Sequence, residues 1–98
     1  MNGIELIADE RERQLYEKGF DAKHDSKHSN AELTHAAVCY AINPAMREVL
    51  FNHKIPELWP FADKLYKPNP LNRVRELQKA GALIAAEIDR LLMAKKKV

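Results

Sequence analysis

The chain of 98 residues contains one cysteine, three glycines and no apolar run long enough to cross a bilayer. The single cysteine, Cys39, excludes an internal disulfide, and its helical surroundings favour a small buried side chain over a nucleophile. An N-terminal segment with a charged and then an apolar part is also lacking, so we expect a cytosolic protein without a secretion signal. No segment alternates between apolar and polar residues as a β-strand does, which favours a helical fold.

The sequence has little net charge, +2 at pH 7, although 31% of its residues are charged. A balance this close to neutral argues against a protein that binds a long run of nucleic-acid phosphates. With 46% apolar residues, the composition suits a folded domain rather than a disordered chain. We expect one helical domain over residues 1–98 with a thin core, which would gain from self-association.

The longest regular pattern lies near the C-terminus, where apolar residues recur at steps of three and four. These residues, called the apolar stripe below, are Val74, Leu77, Gly81, Ile84, Ile88 and Leu91. The spacing predicts a helix over residues 71–93 with a basic tail over 94–98. We expect the rest of the chain to pack against the stripe. A second copy would bury more of it, so we also expect a homo-oligomer.

Three further helices are predicted, over residues 4–18, 30–42 and 44–52, which gives an all-α bundle of three main helices and one short one. In the first, the expected inward face consists of Ile4, Ile7, Ala8 and Leu15. Arg11 falls within that face, and a buried guanidinium requires a carboxylate partner, for which Glu32 and Glu87 are the first candidates. We expect Asp89 to be solvated.

Polar residues at the predicted helix starts support these boundaries. Ser29 and Glu32 match a capping box, Asn43 precedes Pro44, and Asn72 or Asn69 stands before the last helix.

A proline-rich loop precedes the long C-terminal helix and contains Trp59, Phe61 and Tyr66. That much apolar surface is unfavourable in water, so we expect an ordered loop whose aromatic rings cover one end of the bundle.

Two groups of residues can supply metal ligands, although neither forms an intact motif. His24, Asp25 and His28 have a spacing that suits a transition metal on a helix, but exposed loop residues give the same pattern. The second group, Glu10, Glu32 and Glu87, can converge on Mg²⁺ from three helices. The alternative for this group is that Glu32 caps a helix and Glu87 pairs with Arg90.

A third group combines cations with aromatic rings. Its members are Lys18, Phe20, His24, His28, Trp59, Lys67 and Arg73, with Arg75 and Lys79 following on the last helix. Such residues can hold phosphate on the cations and a base on a ring. This pattern favours a non-catalytic site for a small anionic ligand that is nucleotide-like and needs no cofactor. The alternative is that the aromatic rings fill the core.

Several motifs over most of the chain resemble a family of small helical proteins encoded by tailed phages and prophages. They are Glu10-Arg11-x-Arg13-Gln14, Gly19-Phe20, His24-Asp25-x-x-His28, Glu32-Leu33, Ala36-Ala37, Tyr40, Trp59-Pro60, Lys67-Pro68, Lys79 to Ile84, and Glu87-Ile88-x-Arg90-Leu91. The family has Gly-Trp where this chain has Gly19-Phe20, which keeps the ring but loses the indole donor. The resemblance implies a phage accessory protein in the cytosol of a bacterial host, and no specific activity.

The leading hypothesis is therefore a phage-encoded protein that sequesters a nucleotide or a nucleotide-derived signal of bacterial immunity, an argument from analogy. One alternative is a MazG-like, Mg²⁺-dependent nucleotide pyrophosphohydrolase, which the chain resembles only remotely and in architecture. Its motifs Glu-Glu-x-x-Glu and Glu-x-x-Asp are not intact here. Another alternative is an inhibitor that binds a host protein through the polar face of the first helix. Sequence-specific DNA binding ranks below all three.

Overall fold

The computed structural model describes residues 1–17, 31–50 and 58–96. In these ranges the fold is all-α, as predicted, with three main helices and one short one. They are α1 (Gly3–Tyr16), α2 (Glu32–Ala41), α3 (Pro44–Leu50) and α4 (Arg73–Lys96), with a 3-10 turn at Asp63–Leu65. Both α1 and α2 pack against α4. Within the same ranges, none of the helices has the length and apolar character that crossing a membrane requires.

Helix α1 begins with an asparagine cap that the sequence patterns did not predict, and the cap of α2 differs from the predicted one. At α1, Asn2 Oδ1 accepts a hydrogen bond from Glu5 N at 2.9 Å, and Asn2 N donates to Glu5 Oε1 at 3.0 Å, which completes a capping box. At α2, the cap is Ala31 in the left-handed conformation (φ 65°), with no side-chain hydrogen bond. Helix α2 therefore begins at Glu32, two residues later than predicted, and Ser29 lies outside the described residues.

Asparagine side chains begin the other two helices, as predicted. Asn43 Oδ1 accepts a hydrogen bond from the backbone of Ala45 at 3.0 Å, and Asn72 Oδ1 accepts one from Arg75 at 3.1 Å. Each satisfies a backbone donor that the helix itself leaves unpaired. The last helix continues to Lys96, so part of the predicted basic tail is helical.

The core consists mainly of residues of α2 and small residues of α4. Its α4 members are Ala80, Ala82 and Ala86, and its α2 members are Leu33, Ala36, Ala37, Cys39 and Tyr40. The prediction of a buried cysteine is confirmed. Burial raises the pKa of the Cys39 thiol to about 11, although the positive charge of Arg47 opposes the shift.

The apolar stripe lies largely outside this core, contrary to the prediction. Its five large side chains expose between 46% and 60% of their surface. Helix α2 instead packs where Ala80 clusters with Cys39 and Tyr40, because alanine lets two helix backbones approach closely. The small residues of α4 thus accommodate other helices, as predicted, but its larger side chains are not the centre of the monomer.

The stripe is covered at one point, where Ile7 of α1 packs on Gly81. A Cβ atom at Gly81 would lie 2.5 Å from Ile7 Cδ1 and 2.7 Å from Ile7 Cγ1. Glycine is therefore required for α1 to approach α4 this closely.

The inward face of α1 is polar rather than aliphatic. Glu10, Arg11 and Gln14 are buried, whereas Ile4 is 82% exposed. Among the other residues of the predicted face, Ala8 is exposed and Ile7 and Leu15 are half-buried.

The position of α1 is set by hydrogen bonds to α4, which explains the polar face. Arg11 Nη2 contacts Asp89 Oδ2 at 3.2 Å, and Gln78 Nε2 donates to Leu6 O at 2.7 Å. Burial of Arg11 is thus confirmed. Asp89 is one of its partners, which the sequence did not predict, and its side chain is 49% exposed, in line with the expectation that it is solvated.

Replacing Gly81 with alanine tests the packing of Ile7. Overpacking costs about 1–3 kcal/mol, while alanine gains about 1 kcal/mol of helix propensity over glycine. We expect Gly81→Ala to lower the free energy of unfolding by about 1 kcal/mol in the wild-type chain. In an Ile7→Ala background the clash is removed, so the same change should stabilise the protein. Urea denaturation of the four proteins measures this, and an equal stabilisation in both backgrounds would contradict the proposed contact.

Candidate functional site

Glu76 is the fully buried carboxylate of the structure, with 0% of its surface exposed. Its Oε2 accepts hydrogen bonds from Arg47 Nη1 at 2.8 Å and Asn69 N at 2.9 Å, and its Oε1 accepts one from Arg73 Nη1 at 3.0 Å. Burial by itself would raise the pKa of Glu76, but the hydrogen bonds outweigh it, so the pKa lies below its ordinary value. The ionised carboxylate therefore joins α3, the proline-rich loop and α4.

The same two arginines close the C-terminus of α2. Tyr40 O accepts hydrogen bonds from Arg73 Nη1 at 2.8 Å and Arg47 Nη2 at 3.2 Å, and Ala41 O accepts one from Arg73 Nη2. Carbonyl groups at a helix C-terminus are unpaired and carry partial negative charge, so guanidinium groups stabilise them.

The ring of Tyr40 belongs to an aromatic cluster formed with the loop. Ring centroids lie 5.6 Å from Tyr40 to Trp59, 5.5 Å from Tyr40 to Tyr66, and 5.0 Å from Trp59 to Tyr66. Phe61 adds an edge-on contact to Trp59 at 5.6 Å, and Trp59 Nε1 donates to Ala62 O at 3.1 Å. These contacts confirm that the loop is ordered by its aromatic rings, for the part of it that the structure describes.

A second polar group lies beside the Tyr40 ring. We call it the cationic cluster, and it consists of Arg13, Lys67, Arg75 and Lys79. Lys79 Nζ lies 5.4 Å from the Tyr40 ring centroid and donates to Lys67 O at 2.9 Å. Lys67 N donates to Tyr40 Oη at 3.0 Å. Helix α1, the loop and α4 thus each bring a cation to one place.

Glu10, of which 3% is exposed, is the buried carboxylate of this cluster. It accepts hydrogen bonds from Arg13 Nε at 2.8 Å and Arg13 Nη2 at 2.9 Å, and Arg75 Nη2 lies 3.0 Å from Glu10 Oε1. Burial would raise the pKa of Glu10, but the Arg13 hydrogen bonds and the charges of Arg75 and Arg13 lower it overall. The exposed Glu17 lies 3.7 Å from Arg13.

Positive charge therefore exceeds negative charge in the cationic cluster. Burial, followed by the positive charge of Arg75, lowers the pKa of Lys79, and Glu10 only partly opposes this. Arg75 Nη1 is buried and has no hydrogen-bond partner in the part of the chain that the structure describes. An anion would supply an acceptor for Arg75 Nη1 and neutralise the excess positive charge around Lys79.

Three of the seven predicted ligand-binding residues lie in the described ranges, and they meet at Tyr40. Trp59 contacts its ring, the backbone of Lys67 binds its hydroxyl group, and Arg73 binds its carbonyl oxygen. The other four, which lie outside the described residues, are Lys18, Phe20, His24 and His28. The ligand-binding role of all seven stays a prediction.

The candidate metal ligands are not gathered in the described ranges. There, no three histidine, cysteine, aspartate or glutamate residues form a group that could hold a metal ion. Glu10 is engaged by two arginines, and Glu87 accepts a hydrogen bond from Arg90 Nε at 2.5 Å, as the alternative interpretation predicted. The other candidate ligands, His24, Asp25 and His28, fall outside these ranges.

Sequence reasoning did not single out Glu76 or the pairing of Glu10 with Arg13. In both cases a glutamate and an arginine stand three residues apart on a helix, which is a recognisable signal for a local ion pair. Their burial depends on α2, α3 and the loop, and local spacing does not report it.

Comparisons of the chain with protein-family models, with curated proteins and with solved structures gave no match. The resemblance to small phage proteins therefore stays a prediction.

Replacing Glu76 tests how much of the structure depends on the buried carboxylate. Glu76→Gln leaves Arg47 and Arg73 without their counter-charge, so we expect a loss of about 3 kcal/mol of unfolding free energy at pH 7. Glu12→Gln, at an exposed site on α1, is the control.

The same variant has a defined pH dependence. Because the folded pKa of Glu76 is lowered, its stabilisation is present above the unfolded pKa of about 4.3 and is lost as the pH falls through the folded pKa. The wild-type protein should therefore lose more stability than Glu76→Gln as the pH falls below about 4.3. Urea denaturation across this range measures it, and parallel losses would contradict the assignment.

Proposed function

We propose that the protein is a non-catalytic binder of a small anionic ligand of the nucleotide class. In this proposal it is a phage-encoded accessory protein that sequesters the ligand in the cytosol of a bacterial host. The observation that carries the proposal is the cationic cluster, which lies beside aromatic rings and has more positive than negative charge.

The chemistry of the two clusters suits the two parts of a nucleotide. Lysine and arginine bind phosphate oxygens through charge-assisted hydrogen bonds. Aromatic faces stack on bases, and both Trp59 and Phe61 are only half-buried. The exposed Lys67 links the two regions, since it follows Tyr66 of the aromatic cluster and accepts the hydrogen bond from Lys79.

Sequestration is favoured over hydrolysis by the partners of the carboxylates. A Mg²⁺-dependent hydrolase needs several free carboxylate oxygens at one place. In the described part of the chain, Glu10 and Glu87 are each held by guanidinium groups, and a metal ion would have to displace these. The hydrolase thus remains the second candidate.

Self-association is part of the same proposal. Ile84, Ile88 and Leu91 are about half exposed, and their spacing places them on one face of α4. Burying the exposed half of each side chain gains about 1 kcal/mol, which is modest against the cost of association. We therefore propose a homo-oligomer whose formation depends on protein concentration.

A charge in the middle of this patch tests self-association. Ile88→Glu should shift the protein toward the monomer, because an ionised carboxylate cannot be buried without a partner. Thr34→Glu, at an exposed site on α2, is the matched control. Size-exclusion chromatography with light scattering over a concentration series gives the mass. A wild-type monomer at every concentration would contradict the proposal.

A ligand-fate assay tests the proposed function. The purified protein is incubated with a panel of nucleotides and of cyclic and ADP-ribose-derived signals, with and without Mg²⁺. After filtration, the filtrate and the ligand released by heating the retained protein are both chromatographed. We expect one ligand to be lost from the filtrate and to be released unchanged on heating.

The other outcomes separate the alternatives. A ligand that returns altered, with Mg²⁺ required, supports the pyrophosphohydrolase and contradicts sequestration. If no ligand is retained, the small-molecule proposal is wrong. A host protein that co-purifies at fixed stoichiometry would then support binding through α1, where Tyr16 is 84% exposed.

A further inference from the structure

We infer that Arg75 and Lys79 of α4 form a phosphate-binding site, with Lys67 beside them. This inference deepens the proposed function and rests on it. It moves the phosphate contacts from Arg73, the predicted residue, to two residues further along the same helix.

Arg75 and Lys79 stand four residues apart on α4, so their side chains share one face of the helix. Both are half-buried, and 28% of the Arg75 side chain is exposed. The hydrogen bond from Lys79 Nζ to Lys67 O brings the loop to the same place. A ligand in solution can thus reach the exposed part of each side chain, whereas contact with the buried Arg75 Nη1 requires the guanidinium to turn.

Both residues retain hydrogen-bond donors in the described structure. Arg75 uses Nη2 for Glu10, while its Nη1 is buried without a partner among the described residues. Lys79 has three N–H donors, of which the hydrogen bond to Lys67 O uses one. Two cations with free donors on one face match the oxygens of a phosphate group.

Arg73, by contrast, is already engaged. It donates to Glu76, Tyr40 and Ala41, so a ligand would compete with the contacts that close α2. The same applies to Arg47, which binds Glu76 and Tyr40. Arg47 Nε is also buried without a partner among the described residues, but it belongs to the Glu76 network, whereas Arg75 Nη1 lies at the cationic cluster.

The charge of the cluster indicates the class of ligand. The cluster holds four cations against Glu10 and the exposed Glu17, so two positive charges remain in excess. A carboxylate, which is a monoanion, would neutralise only half of this excess. A terminal phosphate group carries up to about two negative charges at pH 7, so a phosphorylated ligand matches the cluster better than a carboxylate does.

Isothermal titration calorimetry of the full chain with pyrophosphate and with ADP tests this site. We expect Lys79→Gln to weaken the binding of both at least about tenfold, as loss of one charge-assisted hydrogen bond does. Arg75→Lys keeps the charge near Glu10 but loses the planar guanidinium, so it should weaken binding less. Lys95→Gln, which removes an exposed lysine at the other end of α4, should leave binding unchanged.

The outcomes distinguish this inference from the proposed function. Equal affinities in wild type and Lys79→Gln, with thermal unfolding showing both folded, would overturn the phosphate site while nucleotide binding stands. If Lys79→Gln weakens pyrophosphate but not ADP, the site takes inorganic phosphate only, and its role in nucleotide binding is wrong. If neither probe binds the wild type and the ligand panel is also negative, both proposals fail. A panel ligand retained equally by Lys79→Gln would overturn the site alone.

Discussion

The buried carboxylate of Glu76 is the constraint on which the rest of the structure depends. A carboxylate removed from water must be neutralised and hydrogen-bonded, and here Arg47, Arg73 and the backbone of Asn69 do both. Those arginines come from α3 and α4, so the requirement of one side chain brings two helices and a loop together. A pair of this kind adds less stability than its short distances suggest. What it contributes is a defined arrangement, since few other packings could satisfy the buried charge.

The position of Tyr40 follows from the same network. Its carbonyl oxygen accepts hydrogen bonds from both arginines at the end of α2, which leaves its ring to pack against Trp59 and Tyr66. Lys79 Nζ lies over the same ring, 5.4 Å from its centroid. Tyr40 thus connects the Glu76 network, in which each arginine has several partners, with a cationic cluster in which positive charge is in excess. The contrast between them supports a structural role for the first and a binding role for the second.

Sequence patterns predicted the helices well, because periodicity and asparagine caps are local properties. They did not predict which side of α4 packs against α1 and α2, since both its apolar stripe and its small residues are candidates for burial. The larger side chains of the apolar stripe favour burial, yet the buried apolar residues of α4 are Ala80, Ala82 and Ala86, and the buried Glu76 lies one turn before Ala80. The buried polar face of α1 could not be predicted from sequence patterns either. The pairing of Arg11 with Asp89 joins residues 78 positions apart, and nothing local marks it. Within the candidate site, the sequence indicated cations near aromatic rings but not which cations would lack partners.

Bringing like charges together is unfavourable during folding. The cationic cluster therefore costs stability, which supports a role for it in binding. Elsewhere in the described ranges, most local features agree with the fold, including asparagine caps on three helices and paired carboxylates. The place where Arg75 and Lys79 meet breaks that consistency, and natural chains tend to do so at functional sites. If an anion binds there as proposed, and only in the folded state, it would offset the repulsion. Binding and stability would then be linked, and the ligand would stabilise the packing of α1 on α4.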